Sequence, residues 1–327
     1  MKMYGESLLS ELSCLYEIAS LGEAQELEEL LETAKEKAIR LFGLSHYAVF
    51  LETSGNEKRA FCGWRIKTEE EAKEYLGKAG LRAFYYPFKR NGIGGFLLMA
   101  KPRPLQNSEI RLFRLFAHSL EDTMGLMVSL RKLKETQRTL EEAFWGVAFA
   151  LTKLVERRDP YTSGHSLGVA ELSRKIGEKL GLSEKELIGL YISGLLHDIG
   201  KSAIPLEILV KPGRLNDLEM KLIRLHTQAG YEILKDIAFP WPVALVALQH
   251  HERLDGSGYP QALKGDQIIR EAKIVAVADV VDAMTHDRPY RPGYGIEKAQ
   301  EEIENNKGTK YDPQAVEACL LVLKDHA

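Results

Sequence analysis

Five of the nine histidines in this chain of 327 residues fall within residues 165–251, and two aspartates accompany them. The histidines are His165, His197, His226, His250 and His251. Asp198 follows His197 in GLLHDIGK, and Asp279 interrupts the apolar segment AKIVAVADVVDAM. A lone buried histidine is usually a satisfied core residue, but several imidazoles and carboxylates are costly to bury unless they are paired or bind a metal. Such a mixed set suits iron, manganese or zinc, so these residues predict a metal site.

The number of candidate ligands predicts more than one metal ion. Seven ligands are too many for one catalytic metal that keeps an open coordination position. We therefore expect two metals, with Asp198 placed to bridge them. Two metals about 3.5–4 Å apart are a known arrangement for the hydrolysis of phosphoesters. Lys201 lies one helical turn after His197 and either supplies a further positive charge to a phosphate or serves as a favourable cation at a helix C-terminus.

Helices are expected to position all of these side chains, because strand signals almost vanish from about residue 142 onward. Asn216 followed by Glu219 is typical of a helix N-terminus with a capping box. The predicted helices cover residues 166–180, 186–197, 217–235, 243–251, 270–285 and 296–305.

The first 118 residues mix helical and strand patterns. Residues 24–42 have helical spacing and good helix-forming residues. Asn91-Gly92 favours the tight turn of a hairpin. Strands are predicted at residues 46–52, 59–66, 81–88 and 93–100. An antiparallel sheet flanked by helices is therefore expected.

A long helix is predicted from about residue 108 to 157, with apolar residues that step by four and three. Gln137 is the one polar position in this series, as in the seam of a dimeric coiled coil. We expect residues 119–140 to form a dimer seam; the alternative is an amphipathic helix on its own domain, which is expected from about 142. The apolar positions are Leu126, Leu130, Leu133, Leu140, Phe144, Val147, Leu151 and Leu154.

The bulk composition narrows the class of protein. The net charge is −3 and the pI is about 6.3, so no basic surplus favours binding to duplex nucleic acid. Cys14, Cys62 and Cys319 lie far apart, which argues against a disulfide framework and a thiolate zinc site. Neither a signal peptide nor a run of about 18 apolar residues is found. We therefore expect a cytoplasmic protein that does not cross a membrane.

Several motifs together closely resemble those of the HD-GYP family, a bacterial branch of the HD phosphohydrolases. They are RDPYTSGH, LLHDIGK, HHERLDGSGYP, VADVVDAMTHDRPYR and GTKYDP. The triplet that names the family is Gly258, Tyr259 and Pro260. The resemblance covers about residues 142–327. It implies an all-helical domain that hydrolyses cyclic di-GMP at a metal centre to linear pGpG, and often on to GMP.

The resemblance also implies roles for individual residues. Lys201 and Asp198 would be catalytic, and Lys201 would contact the scissile phosphate. Arg288 and Arg291 match positions that hold substrate phosphate. The loop of Gly258, Tyr259 and Pro260 would belong to the substrate pocket or to a surface for partner proteins, and Asp255 is a further pocket candidate. The implied metal ligands are His165, His197, Asp198, His226, His250, His251 and Asp279.

One position departs from the family pattern. Members with a third metal carry a glutamate four residues before the first histidine, where this chain has Tyr161. A phenol is a poor replacement for a bridging carboxylate. We therefore predict a centre of two metals, most often iron or manganese in this family, and Tyr161 is a candidate to line the pocket instead.

We expect three consecutive regions along the chain. Residues 1–118 resemble a GAF sensory domain by architecture, 119–141 form a signalling coiled-coil helix, and 142–327 form the HD-GYP domain. The expected partners are cyclic di-GMP, a second copy through the linker helix, and proteins that bind the GYP loop. Two alternatives remain: the same chemistry on 3′,3′-cyclic GMP-AMP or another phosphoester, or a signalling protein that binds nucleotide or partner without turnover.

Overall fold

The structure is a computed structural model, and the chain divides into two units, Met1–Leu140 and Glu141–Ala327. The hairpin turn expected at Asn91-Gly92 lies outside the residues that the structure describes. These are residues 13, 15–23, 26–52, 58–62, 69–88, 93–104, 106–159, 164–211, 213–285 and 293–325.

The first unit contains the antiparallel sheet that the sequence predicts. The elements are α1 (Leu27–Phe42), β1 (His46–Glu52), β2 (Lys58–Cys62), α2 (Glu69–Lys78), β3 (Arg82–Phe88), β4 (Gly95–Lys101) and the long helix α3 (Asn107–Arg158). The strand order is β2-β1-β4-β3, and every neighbouring pair is antiparallel. Helix α2 was not predicted, because its sequence EEEAKEYLGK is mostly charged.

Both faces of this sheet are covered, because successive side chains of a strand point to opposite faces. Val49 and Leu97 belong to a core that also contains residues of α1 and α3. Phe50 and Phe96 belong to a second core with Ala72 and Leu76 of α2. The two phenylalanine rings stack with centroids 4.5 Å apart. Because both faces of the sheet are buried, the sequences of β1 and β4 are nearly continuous apolar runs.

The heptad seam of α3 is exposed to solvent at every apolar position except Leu151, which is partly buried against a core of the second unit. Leu126, Leu133 and Leu140 are 60–65% exposed, and Gln137 is exposed as well. From about residue 142 the helix packs on its own unit, as expected, but not through the seam at Val147 and Leu154, which remain 61% and 60% exposed. A different face of the helix is buried there, which includes Ala148 and Val155.

Helices dominate the described part of the second unit, as the sequence predicts, and the predicted bounds agree within two residues. The C-terminal helix is an addition that was not predicted. Among the described residues, no helix combines the length and the apolar character needed to cross a membrane. The helices are α4 (His165–Lys179), α5 (Glu184–Leu196), the short α6 (Leu206–Leu209), α7 (Asp217–Leu234), α8 (Val243–Gln249), α9 (Arg270–Thr285), α10 (Ile296–Asn305) and α11 (Pro313–Lys324).

Helix ends and close contacts set the geometry of this unit. Ser183 and Glu186 form a capping box at the start of α5, and Asn216 and Glu219 form one at the start of α7. A Cβ atom at Gly200, in the 3-10 turn Ile199–Ala203, would lie 1.9 Å from the carbonyl oxygen of His226. Only glycine therefore allows this turn to approach α7.

Candidate metal centre

The seven residues that the sequence singles out as metal ligands come from five places in the second unit and meet in its interior. His165 opens α4, and Asp279 lies in the middle of the buried helix α9. His226 lies within α7. The pair His197 and Asp198 follows α5, and the pair His250 and His251 follows α8.

The donor atoms form two groups. The atoms of Asp198, His226, His250 and His251 lie within 4.8 Å of one another, and so do those of His165, His197 and Asp279. All seven side chains are buried except that of His251, which is partly buried. Each group supplies three or four nitrogen and oxygen donors, which is the number that a metal with open coordination positions requires.

Asp198 has one carboxylate oxygen toward each group. Its Oδ1 lies 3.3 Å from Nε2 of His226 and 3.9 Å from Nε2 of His250. Its Oδ2 lies 3.3 Å from Nε2 of His197. Asp279 has a similar arrangement, with Oδ1 3.2 Å from Nε2 of His165 and Oδ2 3.9 Å from Nδ1 of His251. Both carboxylates therefore face donors of both groups.

Backbone carbonyls orient three of the imidazole rings. Nδ1 of His197 lies 2.6 Å from the carbonyl oxygen of Gly194, and Nδ1 of His226 lies 2.7 Å from that of Ile223. Nδ1 of His250 lies 2.9 Å from the carbonyl oxygen of Ala247. A carbonyl oxygen only accepts hydrogen bonds, so Nδ1 carries a proton in each of these rings, and Nε2 is the atom left to present a lone pair to a metal. This is the arrangement that metal-binding histidines use.

Two observations are consistent with a cation between these ligand atoms. Nε2 of His226 and Nε2 of His250 lie 3.4 Å apart, and in this tautomer neither atom has a hydrogen to donate. Nε2 of His197 is buried and has no hydrogen-bond partner among the described residues. Buried polar atoms are normally paired, and the exceptions call for an explanation. A metal ion that accepts these lone pairs provides one.

The pKa values of the cluster follow from burial and from charges nearby. Burial, with the neighbouring imidazoles, holds the pKa of His250 well below its ordinary value, and burial lowers the pKa of His251 to about 3. Burial alone would raise the pKa of Asp198, but Lys201 and His197 lower it well below its ordinary value. Neutral imidazoles and ionised carboxylates are the protonation states that bind metal. Burial alone would lower the pKa of His165, but its hydrogen bonds to Asp279 and Asp282 raise it to about 9, so a metal that binds His165 must displace a proton.

Lys201 lies against the edge of the cluster. Its Nζ is 2.7 Å from Oδ2 of Asp198 and 3.3 Å from Oδ2 of Asp159. Burial would lower the pKa of the Lys201 ammonium, but the two carboxylates raise it above its ordinary value. The ammonium therefore stays protonated near neutral pH and is held beside the carboxylate that faces both groups.

The loop of Gly258, Tyr259 and Pro260 covers one side of the centre. The ring centroid of Tyr259 lies 4.8 Å from that of His251. A Cβ atom at Gly258 would lie 2.4 Å from Cα of Glu252, so the loop can approach only with glycine. The buried carboxylate of Glu252 accepts hydrogen bonds from the backbone NH groups of Gln261 and Leu263 at 2.7 and 2.9 Å. Pro260 itself is exposed.

The other candidates from the sequence lie elsewhere. Asp255 is exposed and accepts hydrogen bonds from the backbone NH and the hydroxyl of Ser257, so its carboxylate closes a turn of the loop. Tyr161, Arg288 and Arg291 lie outside the residues that the structure describes.

Three residues near the centre were missed by the sequence analysis. Asp159 contacts Lys201, and Arg224 places its guanidinium 4.9 Å from the ring centroid of Tyr259. Oδ2 of Asp282 lies 2.6 Å from Nδ1 of His165. A signal for Asp282 was present, because it follows Asp279 by three residues and so shares its face of the helix. Asp159 also had a signal, because it lies in the motif RDPYTSGH, whereas Arg224 had none.

Residues 150–315 match the protein family described as HD domain, which is more than half of the chain. The chain belongs to the HD-domain family. Two similar curated proteins are a cyclic di-GMP phosphodiesterase of Thermotoga maritima, 40% identical over 219 residues, and the cyclic di-GMP phosphodiesterase response regulator RpfG of Xanthomonas campestris pv. campestris, 36% identical over 232 residues. A third is a 3′3′-cGAMP-specific phosphodiesterase of Vibrio cholerae, 38% identical over 178 residues.

The similarity to these HD-domain proteins is partial in length. The matched regions cover 66%, 70% and 54% of this chain. They cover 60%, 61% and 38% of the respective relatives. The chain therefore spans less than two thirds of the length of each of these relatives.

Proposed function

We propose that this HD-domain protein is a metal-dependent phosphodiesterase of the HD-GYP type that hydrolyses cyclic dinucleotides, with cyclic di-GMP as its substrate. The observation that carries the proposal is the position of Asp198, whose two oxygens face two separate groups of donors. A carboxylate in this position can bridge two metal ions, and two-metal centres are suited to phosphoester hydrolysis.

The two donor groups define which residues would hold the metals. His165, His197 and Asp279 would hold one ion, and His226, His250 and His251 would hold the other, with Asp198 shared between them. Bound divalent metals stabilise charge on phosphoryl oxygens and activate water as a nucleophile. Iron or manganese suits this mixture of imidazole and carboxylate donors. Tyr161, at the position of a third-metal glutamate, favours a centre of two ions.

The side chains of the protein would orient and stabilise the substrate. The ammonium of Lys201, held by Asp159 and Asp198, would donate a hydrogen bond to an oxygen of the scissile phosphate. Preorganised positive charge of this kind stabilises a phosphoryl transition state because it needs no reorganisation during the reaction. Arg288 and Arg291 would bind substrate phosphate. Tyr259, with His251 behind its ring and Arg224 over it, would form a wall of the substrate pocket.

The substrate assignment has one alternative of the same chemistry. A relative similar to this chain is named as a 3′3′-cGAMP-specific phosphodiesterase. The two cyclic dinucleotides differ in one base, so residues that contact metals and phosphates do not distinguish them. The pocket wall at Tyr259 and Arg224 would carry the difference.

We further propose that the first unit is a sensory domain of the GAF type and that α3 joins it to the catalytic unit as a dimer seam. The four-stranded antiparallel sheet with helices on both faces supports the first part. The second part is supported by leucines such as Leu133, which is 64% exposed on the seam. A ligand of the first unit would act by favouring one of two arrangements of this helix pair.

Metal analysis combined with product analysis tests the catalytic proposal. The chain is stripped with a chelator, reconstituted without oxygen with Fe²⁺ or Mn²⁺, and assayed on cyclic di-GMP and 3′,3′-cyclic GMP-AMP. About two metals per chain with accumulation of pGpG are expected, and the stripped protein serves as the control. Three metals per chain would contradict the inference from Tyr161. Full metal loading without turnover of either nucleotide would contradict the enzyme and favour a binding protein.

Light scattering of the Leu133→Glu variant tests the seam. A charge on the exposed seam should shift the mass from dimer toward monomer at low concentration, whereas Arg131→Glu, beside it on the exposed surface, should not. An unchanged mass would contradict the dimer seam.

A further inference from the structure

Asp282 is a buried carboxylate beside the metal centre to which the proposed function assigns no role. It lies on α9 one turn after Asp279 and is 4% exposed. Its Oδ2 lies 2.6 Å from Nδ1 of His165. His165 therefore differs from His197, His226 and His250, whose Nδ1 atoms contact backbone carbonyls.

Gly168 provides the space that Asp282 occupies. It lies on α4 three residues after His165 and faces α9. A Cβ atom at Gly168 would lie 2.0 Å from Oδ1 of Asp282 and 2.9 Å from its Cγ. Glycine inside a helix costs about 0.5–1 kcal/mol relative to alanine, so the sequence accepts a local cost at a point where any side chain would displace the carboxylate.

We propose that Asp282, given room by Gly168, is a positioning residue that sets the ring orientation and tautomer of His165 for metal binding. An ionised carboxylate only accepts hydrogen bonds, so it holds the proton on Nδ1. Nε2 then directs its lone pair toward Oδ1 of Asp279, 3.2 Å away, where a shared cation would lie. A full negative charge on Asp282 also increases the basicity of the imidazole more than a neutral carbonyl does.

The proposal rests on the metal centre of the proposed function. It predicts a different effect on each of the two groups of metal ligands. Asp282 contacts His165, a member of the group with His197 and Asp279. The group of His226, His250 and His251 has its own orienting carbonyls. Loss of Asp282 should therefore weaken one metal position and leave the other intact.

The test is a titration of the full metal-free chain with Mn²⁺ alone, for the parent and for Asp282→Asn. Asparagine keeps the shape of the side chain and removes its charge. Partners of metal ligands typically contribute 10–100-fold to metal affinity, so one of two Mn²⁺ affinities should fall by about that factor. Asp266→Asn, the same change at a fully exposed aspartate, should leave both affinities unchanged. Anomalous diffraction from crystals at limiting Mn²⁺ gives the occupancy of each position separately.

A second variant tests the steric part without touching the carboxylate. Gly168→Ala should weaken the same Mn²⁺ position in the parent background. In an Asp282→Ala background it should cause no further loss, because the atoms that it displaces are gone. Such non-additivity is expected only of residues that act through one contact.

The outcomes separate this proposal from the previous one. A parent chain that binds no Mn²⁺ would overturn the metal centre itself. A parent that binds Mn²⁺ at both positions, with unchanged affinities in Asp282→Ala, which removes the acceptor that asparagine keeps, would overturn only the positioning role. Equal weakening of both positions together with a lower melting temperature would also overturn it, since that pattern indicates a general packing role.

Discussion

The two units of this chain bury polar side chains in different ways. In the first unit, the buried ammonium of Lys101 binds the carboxylate of Glu109, and the hydroxyl of Tyr86 donates to the buried carboxylate of Glu121 at 2.9 Å. In the second unit, several buried nitrogen and oxygen atoms converge that cannot form hydrogen bonds with one another. Nε2 of His226 and Nε2 of His250 are an example.

The difference teaches how a site can be distinguished from a structural polar pair. A buried pair that matches a donor with an acceptor is complete without any further molecule. Lone pairs that face lone pairs are unfavourable until a cation lies between them. The hydroxyl of Tyr47 in the first unit is also buried without a hydrogen-bond partner among the described residues, but it stands alone. In the second unit, several potential metal ligands converge.

The largest expected effect is the loss of a ligand. His197→Ala removes the nitrogen that lies 3.3 Å from Asp198, and should lower both the metal affinity of its group and the rate of hydrolysis by more than the ~10–100-fold typical of outer partners. Metal analysis and nucleotide chromatography measure the two quantities. His46→Ala in the first unit is the control, and it should change neither. If His197→Ala keeps its full metal content and activity, the assignment of His197 as a metal ligand is contradicted, and with it the contrast between a metal site in the second unit and structural polar pairs in the first.

The next effect separates charge from metal binding. Lys201→Gln should retain metal and slow hydrolysis about 100-fold, as expected for one preorganised donor at a transition state. Single-turnover assays on metal-loaded protein measure the rate. Lys211→Gln, which changes a lysine that pairs with Glu219, serves as the control. If turnover is unchanged, Lys201 has only a structural role at the end of its helix.

The first unit should respond in stability and not in metal content. Lys101→Ala leaves the partly buried carboxylate of Glu109 without the ammonium of Lys101, and the loss of one hydrogen bond between charged groups should cost about 2 kcal/mol of unfolding free energy. Urea denaturation measures this loss. Lys78→Ala, at an exposed pair with Glu74, should cost about 0.5 kcal/mol or less. A drop in bound metal in Lys101→Ala would contradict the distinction between the two units.

The smallest effect concerns an ordinary polar pair within the second unit. Hydrogen bonds from Ser183 and Arg270 lower the pKa of Glu186 from 4.5 to about 2. Its contribution to stability is therefore complete above pH 4.5 and is lost as the pH falls toward 2. Glu186→Gln should lower the melting temperature slightly at pH 7, and the difference from the parent should shrink below pH 4.5. A difference that is independent of pH would contradict this assignment.

Much of the second unit could be predicted because its signals are local. The capping box at Asn216 and Glu219 and the apolar spacing of α9 depend on neighbours within one or two helical turns. The helices α2 and α11 could not be predicted in this way. Helix α2 is mostly charged, and its position depends on burial of Ala72 and Leu76 against the sheet.

The sequence by itself determined which side chains could bind metal, because buried histidines and aspartates are rare without a partner. Only the tertiary structure decided how they divide into two groups and which oxygen of Asp198 faces each group. It also decided that Gly168 makes room for Asp282 across more than one hundred residues of sequence. The physical reason is that residue type follows from local chemistry, whereas orientation and pairing depend on contacts between helices that are distant in the chain.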